Sequence, residues 1–301
     1  MPLRAVQSRS PPAGGRRSGV AGPGTWSTFW HEFAAEGAPA ERCHIPGEGR
    51  QAADAHWARF AERLPHGARV LDGGCGAGTI GRTLLGRRGD LAVTGVDWAE
   101  LPGADVANLI LMPSVRMEAL PFGDACFDAA VSLFGIEYGD IDETARELGR
   151  VLRPGAPFSF LVHHVDGAIL KEGVPRRRAL HELIAGRTRT AFLAGSVTGI
   201  EQQRQRLSAR FPAEPVTDLI SDYCRREITR PRAERQALWD KLTADFEPEV
   251  LLLLHLERSA KSPAGMGAWL APLLATMNGV GASVLRDSAG APVAWSVGGV
   301  R

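Results

Sequence analysis

Val70-Leu71-Asp72-Gly73-Gly74-Cys75-Gly76-Ala77-Gly78-Thr79 decides the reading of this chain. An apolar run ends in an acid, glycine then recurs at every second position, and a helical pattern follows. A strand, turn and helix start of this kind brings a ligand against the main chain, because glycine accepts left-handed backbone and presents no Cβ. A second apolar strand, Leu91-Ala92-Val93-Thr94-Gly95-Val96, ends at Asp97, nineteen residues past Gly78. An acid at that place can accept both hydroxyls of a ribose. The two segments together read as a nucleoside site.

Spacing decides which nucleoside. A dinucleotide fingerprint, G-x-G-x-x-G, would need a third glycine at position 79, which is Thr79. The glycines run 74, 76, 78, and Asp72 stands two residues before the first of them. A carboxylate beside the turn repels a pyrophosphate and suits a cation or an amine. This D-x-G-x-G-x-G run resembles motif I of the class I S-adenosylmethionine (SAM) methyltransferases. Three more segments resemble the same family in the right order: Val96-Asp97-Trp98; Met117-Glu118-Ala119-Leu120-Pro121-Phe122 with Phe127-Asp128-Ala129-Ala130-Val131-Ser132; and Arg146-Glu147-Leu148 through Arg150-Val151-Leu152-Arg153-Pro154-Gly155. The pattern is most similar to the small-molecule group that includes the ubiquinone and menaquinone methyltransferases. It covers residues 50 to 165 or so.

The resemblance implies SAM as cofactor and a cofactor site drawn from Asp72, Gly74, Cys75, Gly76, Gly78, Asp97, Trp98, Met117, Glu118 and Ser132. Asp97 is expected to hold the ribose. Asp72 is expected under the turn, bridging backbone donors or the methionine amine. Trp98 stands where the family sets a large apolar residue against the adenine; a core tryptophan is the alternative. One position departs from the family pattern. The segment before L-P-F usually begins with an acid and a small residue that hold the adenine edge, and here these are Arg116 and Met117. Arg116 has no lone pair with which to accept from the adenine amino group, so that contact would pass to Glu118 or to backbone, or be absent.

A chain of 301 residues with 44% apolar residues can bury one large domain or a core with an appendage. Its net charge of +1 argues against a nucleic-acid partner, which would call for a strongly basic face. Cys43, Cys75, Cys126 and Cys224 are scattered without C-x-x-C or ligand spacing, which suggests a reducing, cytoplasmic setting and no metal site. The longest apolar run, Val250 to Leu254, is too short for a bilayer. Residues 1 to 24 carry four arginines, no acid and many Pro, Gly and Ser. They read as a disordered tail rather than a presequence, since the prolines and glycines interrupt any amphipathic stretch.

Trp26, Trp30 and Phe33 fall at helical spacing, as do Ala53, Trp57, Phe60 and Leu64. Strand and helix then alternate over 69–73, 79–86, 91–97, a short connection, 127–133, 142–152 and 157–163. The expected fold is therefore α/β, a doubly wound Rossmann-like sheet with its ligands at the carboxyl ends of the strands. From Asp166 to Met277 the pattern is helical only, with stripes at Val216, Leu219, Ile220, Tyr223, Cys224 and at Met266, Trp269, Leu270, Leu273, Leu274, Met277. Ala282–Arg286, the turn Asp287-Ser288-Ala289-Gly290 and Pro292–Val297 then form a hairpin. The sheet is expected to end in this antiparallel hairpin, with the helices inserted between strands five and six. The expected layout is a tail at 1–24, a SAM-binding core with N-terminal helices at 25–165, a helical cap at 166–279 and the closing hairpin at 280–301.

Methyl transfer needs a nucleophile aligned behind the methyl and, for a hydroxyl, phenol or acidic carbon, a base. The candidates stand at strand ends. His163 and His164 finish strand five, and alternation sends one of them to the crevice. Glu137 and Tyr138 follow strand four; Tyr138 could bind substrate or touch a sulfonium through its ring, and Glu137 could orient an amine. His31 and His44 read more readily as structural. Val250–Leu254 with His255 lines an apolar pocket or is a buried helix, and Arg176-Arg177-Arg178 attracts an anion or is a solvated face. The reading is a SAM-dependent methyltransferase acting on O, N or C of a small organic molecule. Its alternatives are an RNA or protein methyltransferase, and a SAM-binding partner or regulator that has lost transfer chemistry. The oligomeric state is not legible.

Overall fold

β1 (Arg69–Gly73) lies in the middle of a seven-stranded sheet of order β3-β2-β1-β4-β5-β7-β6. Its last four residues are buried, because parallel neighbours flank it on both edges and helices cover both faces. The computed structural model describes residues 24, 26–30, 45, 47–101, 103 and 106–301. Apart from Gly24, the tail expected at 1–24 lies outside the described residues, as do His31, Phe33, Cys43 and His44.

β2 (Ala92–Val96), β4 (Ala129–Leu133) and β5 (Pro157–His163) run parallel with β1, and the register Leu71↔Thr94 and Leu71↔Ala130 levels their carboxyl ends. β6 (Asn278–Arg286) and β7 (Pro292–Val300) form the closing hairpin, with β7 antiparallel to β5 from Pro157↔Val300 to His163↔Ala294. The segment between Asp97 and Phe127 holds more than a connection. Leu109–Met112 is a strand, β3, parallel to β2 through Val93↔Leu109 to Val96↔Met112. Four apolar residues at the sheet edge give neither period, and Asn108 and Ser114, both at positive φ, end the run on either side.

Three helices serve the sheet directly. α1 (Gly49–Glu62) buries Ala53, Trp57 and Phe60, and α2 (Thr79–Arg87) follows the glycine turn. α3 (Ile141–Val151) starts at Asp140, whose carboxylate accepts the N–H groups of Asp142 and Glu143 at 3.0 and 3.2 Å.

Between β5 and β6 lie six helices: α4 (Ala168–Ala185), α5 (Arg187–Ala194), α6 (Val197–Arg210), α7 (Val216–Arg226), α8 (Arg232–Ser259) and α9 (Pro263–Thr276). The first five share a core of their own, centred on Leu180, Phe192, Ile200, Leu207 and Trp239. α9 instead sends Met266, Trp269 and Leu273 into the sheet's core beside Leu148 and Val151. The arginine run on α4 meets α8: Arg176 pairs with Glu249, and Arg177 and Arg178 pair with Glu257. It is an internal clamp between two helices.

Candidate active site

The turn after β1 takes left-handed backbone at Gly74 (φ 65°), Gly76 (φ 49°) and Gly78 (φ 79°). A Cβ on Gly74 would stand 2.7 Å from Gly135 Cα, so the turns after β1 and β4 meet backbone to backbone. A Cβ on Gly76 would stand 2.2 Å from Trp30 Cζ2, and the Trp30 indole lies flush on the turn. The helical residues 26–30 reach further in both directions. Glu100 N–H donates to Ser27 Oγ at 2.9 Å, and the Trp26 ring meets the Tyr138 ring at 5.0 Å. They form a strap across the carboxyl ends of the central strands.

Asp97, at the end of β2, ties that strand to the turn. One carboxylate oxygen accepts Gly76 N–H and the other accepts Ala99 N–H, both at 2.9 Å. Burial raises its pKa, and the N–H groups of Ala99, Gly76 and Trp98 oppose the rise. Each oxygen keeps a lone pair for a further donor. Asp72, at the end of β1, is 1% exposed, and neither of its oxygens has a hydrogen-bond partner. Burial pushes its pKa up to about 7 and Asp97 adds to the rise; the Gly81 N–H on α2 pulls the other way without completing a hydrogen bond. An orphaned, buried carboxylate beside a glycine turn fits the cationic methionine end of SAM. Cys75, between the two acids, keeps its thiol protonated: burial, then Asp72 and Asp97, raise its pKa well above the usual value.

The remaining expected cofactor residues lie around this centre. Ser132 is fully buried; its hydroxyl donates to the Gly73 carbonyl at 2.7 Å and accepts Ile136 N–H at 3.0 Å, which fixes one turn against the other. Met117 sets its sulfur 2.5 Å from where a Cβ on Gly73 would lie. Glu118 accepts Asp140 N–H at 2.9 Å and pairs with Arg116 at 3.4 Å. Trp98 is 40% exposed, and the Arg116 guanidinium sits over its ring at 5.1 Å.

At the far side, Glu137 and His163 form a buried dyad. One oxygen of Glu137 lies 2.6 Å from His163 Nδ1 and also accepts His163 N–H at 3.0 Å. A carboxylate on Nδ1 favours the tautomer with its proton there, which leaves Nε2 as the acceptor. Phe134 stacks on the imidazole at 4.1 Å, and Tyr138 approaches it edge-on at 6.1 Å. His164 faces the other side of the sheet. It packs on Trp295 at 4.8 Å, its Nδ1 accepts Asp166 N–H at 3.0 Å, and burial lowers its pKa against the pull of Asp166.

One cavity of about 240 Å³ joins these parts. Its lining includes Asp72 from β1 with Gly74 and Cys75 from the turn, His163 from β5 two strands away, Phe134 and Tyr138, and also Trp26, Ile169, Leu252 and Leu256. The last three come from the helical segment, so the apolar run Val250–Leu254 contributes Leu252 to the lining while His255 is buried. The place of residues 132–138 after β4 already points Phe134 and Tyr138 to this crevice, whereas nothing in the sequence signals Ile169. Among the described residues, no group of three or more His, Cys, Asp or Glu could hold a metal ion. No helix among them is long and apolar enough to cross a membrane.

Comparison with known proteins agrees with this geometry. Residues 70–155 match the family described as a methyltransferase domain. Over 123 residues the chain is 35% identical to a malonyl-[acyl-carrier protein] O-methyltransferase of Enterobacter lignolyticus, covering 39% of this chain and 47% of that protein. It is 34% identical over 123 residues to a 2-phytyl-1,4-naphtoquinone methyltransferase of Synechocystis, covering 36% and 51%. The chain thus spans about half the length of the curated relatives it matches. A solved SAM-dependent methyltransferase of Mesorhizobium loti is 25% identical, with a TM-score of 0.32 and 37% and 54% of the two chains covered. The sheet order and glycine turn define a Rossmann-like α/β nucleoside-binding core. Residues 70–155 of that core are similar to the methyltransferase-domain family, and the SAM-dependent methyltransferase reading rests on that segment.

Proposed function

We propose that the protein transfers the SAM methyl group to a small organic molecule, with His163 as base and Glu137 as the group that orients it. The observation that carries this reading is one cavity lined both by the orphaned Asp72 carboxylate and by His163, which Glu137 holds from behind. When bound, SAM supplies a methyl already activated by its sulfonium, so the protein's work is alignment, water exclusion and proton removal. Asp97 would hold the ribose, and Asp72 the amine. The turn at Gly74–Gly78 would pass beneath the methionine, with Trp98, Met117 and Glu118 around the adenine. Trp26, Trp30 and the helices of 166–279 would cap the acceptor side and keep it dry. Fixed orientation of this kind contributes roughly 7–11 kcal/mol to such a step.

The relatives' printed names, which carry a 2-phytyl-1,4-naphtoquinone and a malonyl-[acyl-carrier protein], support a small organic acceptor group in general terms. The test is titration calorimetry with SAM and, separately, NADH, followed by release of S-adenosylhomocysteine in the presence of candidate acceptors. Saturable one-to-one SAM binding with no NADH response is expected. Failure to bind SAM would sink the reading and favour a partner or regulatory role.

A further inference from the structure

Glu137 is buried, and its second oxygen, Oε2, has no hydrogen-bond partner among the described residues. An ionised carboxylate in that state needs an opposite charge near it. The chain has three lysines, Lys171, Lys241 and Lys261. Lys171 is exposed, and Lys241 pairs with Asp245 at the surface. Lys261 is half-buried in the link between α8 and α9, and among the described residues no carboxylate is in direct contact with it. Its backbone is tied to the dyad. Lys261 N–H donates to the His163 carbonyl at 2.8 Å, and the Lys261 carbonyl accepts Val165 N–H at 3.3 Å and the Trp295 indole N–H at 2.8 Å. Ser262 fixes the next residue by accepting Gly265 N–H at 3.1 Å at the start of α9. Burial lowers the Lys261 pKa and the Glu137 carboxylate opposes the fall, so each charge lies in the field of the other. The other charged groups nearby are engaged elsewhere. Asp140, Asp142 and Glu143 at the start of α3 act on Arg146, while Asp166, Arg286 and Lys171 act on His164 across the sheet. His163 holds the other oxygen of Glu137, and Tyr138 meets that imidazole edge-on.

We infer that Lys261 is a positioning residue for the dyad: its ammonium is the counter-charge of the buried Glu137 carboxylate and keeps the Glu137–His163 pair free of an extra proton, so that Nε2 stays open. The use of Nε2 as a base rests on the methyltransferase reading above; the pairing of Lys261 with Glu137 does not. A proton taken up by the pair goes to the imidazole or to the carboxylate. In the first case His163 is an imidazolium. In the second the carboxylic acid donates to Nδ1, and the ring proton sits on Nε2. Either way Nε2 carries a hydrogen and cannot take one from an acceptor. A positive charge close by disfavours both forms. Lys261 also links α8, whose Leu252 and Leu256 line the cavity, to α9 on the sheet, so the protonation of the base depends on how the helical segment is seated.

Two NMR titrations of the full chain test the inference without any acceptor. In protein carrying 15N-histidine, the ring signals of His163 are those lost in His163→Gln, and their shifts are followed with pH. Lys261→Met keeps the stem and removes the charge; it should raise the His163 midpoint by about one unit or more, a tenfold or greater gain in proton affinity. Lys261→Arg should leave the midpoint in place, which a role in packing alone would not require. In protein carrying 13C-lysine, Glu137→Gln should lower the Lys261 midpoint by a comparable amount, because the coupling is reciprocal. This second titration needs no substitution at 261 and decides the matter even if Lys261→Met does not fold. A His163 midpoint that Lys261→Met leaves unchanged, or that Lys261→Arg moves as far, overturns the inference. So does a Lys261 midpoint indifferent to Glu137→Gln. Calorimetry with S-adenosylhomocysteine is run beside them: if both midpoints move as stated and none binds, the methyltransferase reading falls while the pairing of Lys261 with Glu137 stands.

Discussion

The Asp97 carboxylate accepts the N–H of Gly76 at 2.9 Å, so the acid that ends β2 is joined to the turn that follows β1. Its other oxygen holds Ala99 N–H at the same distance. Asp97 thus shapes the glycine turn, and under the proposed function its remaining lone pairs would hold the ribose. Asp97→Ala removes both. SAM affinity should fall by on the order of 10²–10⁴, since each hydrogen bond to a charged group contributes about 1.5–3 kcal/mol. Leaving two buried N–H groups unpaired should also lower stability by about 1–3 kcal/mol. Calorimetry and a urea melt read the two effects separately. Wild-type SAM affinity in the variant would remove Asp97 from the cofactor site.

Asp72 gives the site a pH dependence of known sign. Its folded pKa, raised by burial to about 7, lies well above the carboxylate value of the unfolded chain. Between pH 4 and pH 7 the folded state therefore holds a proton that the unfolded state has lost, and stability falls as pH rises through that window, by up to about 4 kcal/mol. Asp72→Asn should flatten this slope, which parallel melts at pH 5 and pH 8 would reveal. A cation bound beside Asp72 needs the ionised form. SAM affinity should thus rise with pH up to about 7, near tenfold per unit, and level off above it. A pH-independent SAM affinity in the wild-type protein would place the sulfonium and amine away from Asp72.

How much of this was legible in the chain depended on how local the signal was. The glycine spacing, Asp72 and Asp97 lie within two short segments, and their backbone conformations follow from residue type; sheet and turn could be read from them. β3 could not, because Leu109–Met112 is short, apolar throughout and exposed only at its edge through Ile110. The dyad needed tertiary structure. Glu137 and His163 are separated by 26 residues that include α3, and only the levelled ends of the neighbouring strands β4 and β5 bring them together. Alternation along β5 said that one histidine faces the crevice, and the packing of His164 on Trp295 identifies His163 as that one. The apolar lining from Leu252 and Leu256 depends on how α8 lies against the sheet, which no pattern in the helical segment encodes.

Arg116 stands over the Trp98 ring at 5.1 Å, on the exposed face where a nucleobase would stack. An exposed cation–π contact contributes about 0.5–1 kcal/mol, and the Arg116–Glu118 pair at the surface little more. A base that takes the place of the guanidinium must displace it. Arg116→Ala should therefore tighten SAM binding about two- to fivefold. Tryptophan fluorescence on addition of SAM would report the exchange at Trp98. Weaker binding in the variant would mean that Arg116 stacks on the base instead of obstructing it.

The dyad predicts a separation of binding from turnover. His163→Ala removes the acceptor nitrogen and should lower kcat by 10²–10⁴ with SAM affinity unchanged. Glu137→Gln makes a more specific claim. The amide oxygen must keep the shared position, because it also accepts the His163 backbone N–H, so the tautomer is retained and only the negative charge that stabilises an imidazolium is lost. The loss should again exceed tenfold although the hydrogen bond survives in form. Single-turnover rates on both variants decide. If neither changes the rate, the proton leaves by another route and the acceptor ionises unaided.

Trp30 and Gly76 are fitted to each other, and the fit can be measured. A Cβ on Gly76 would lie 2.2 Å from the indole, and the residue's φ of 49° is one that a side chain adopts at a cost of about 1–2 kcal/mol. Gly76→Ala should therefore destabilise the protein twice over, through backbone strain and through eviction of Trp30 from its contact with Ala77 and Ala99. Trp30→Ala alone loses only the packing of a side chain that is 7% exposed. Together the two substitutions should cost less than the sum of their separate costs, because the small residue at 30 makes room for the new Cβ. A coupling of about 0.5–3 kcal/mol is expected from contacting residues. Strictly additive losses in urea melts would show that the strap does not rest on the turn in solution.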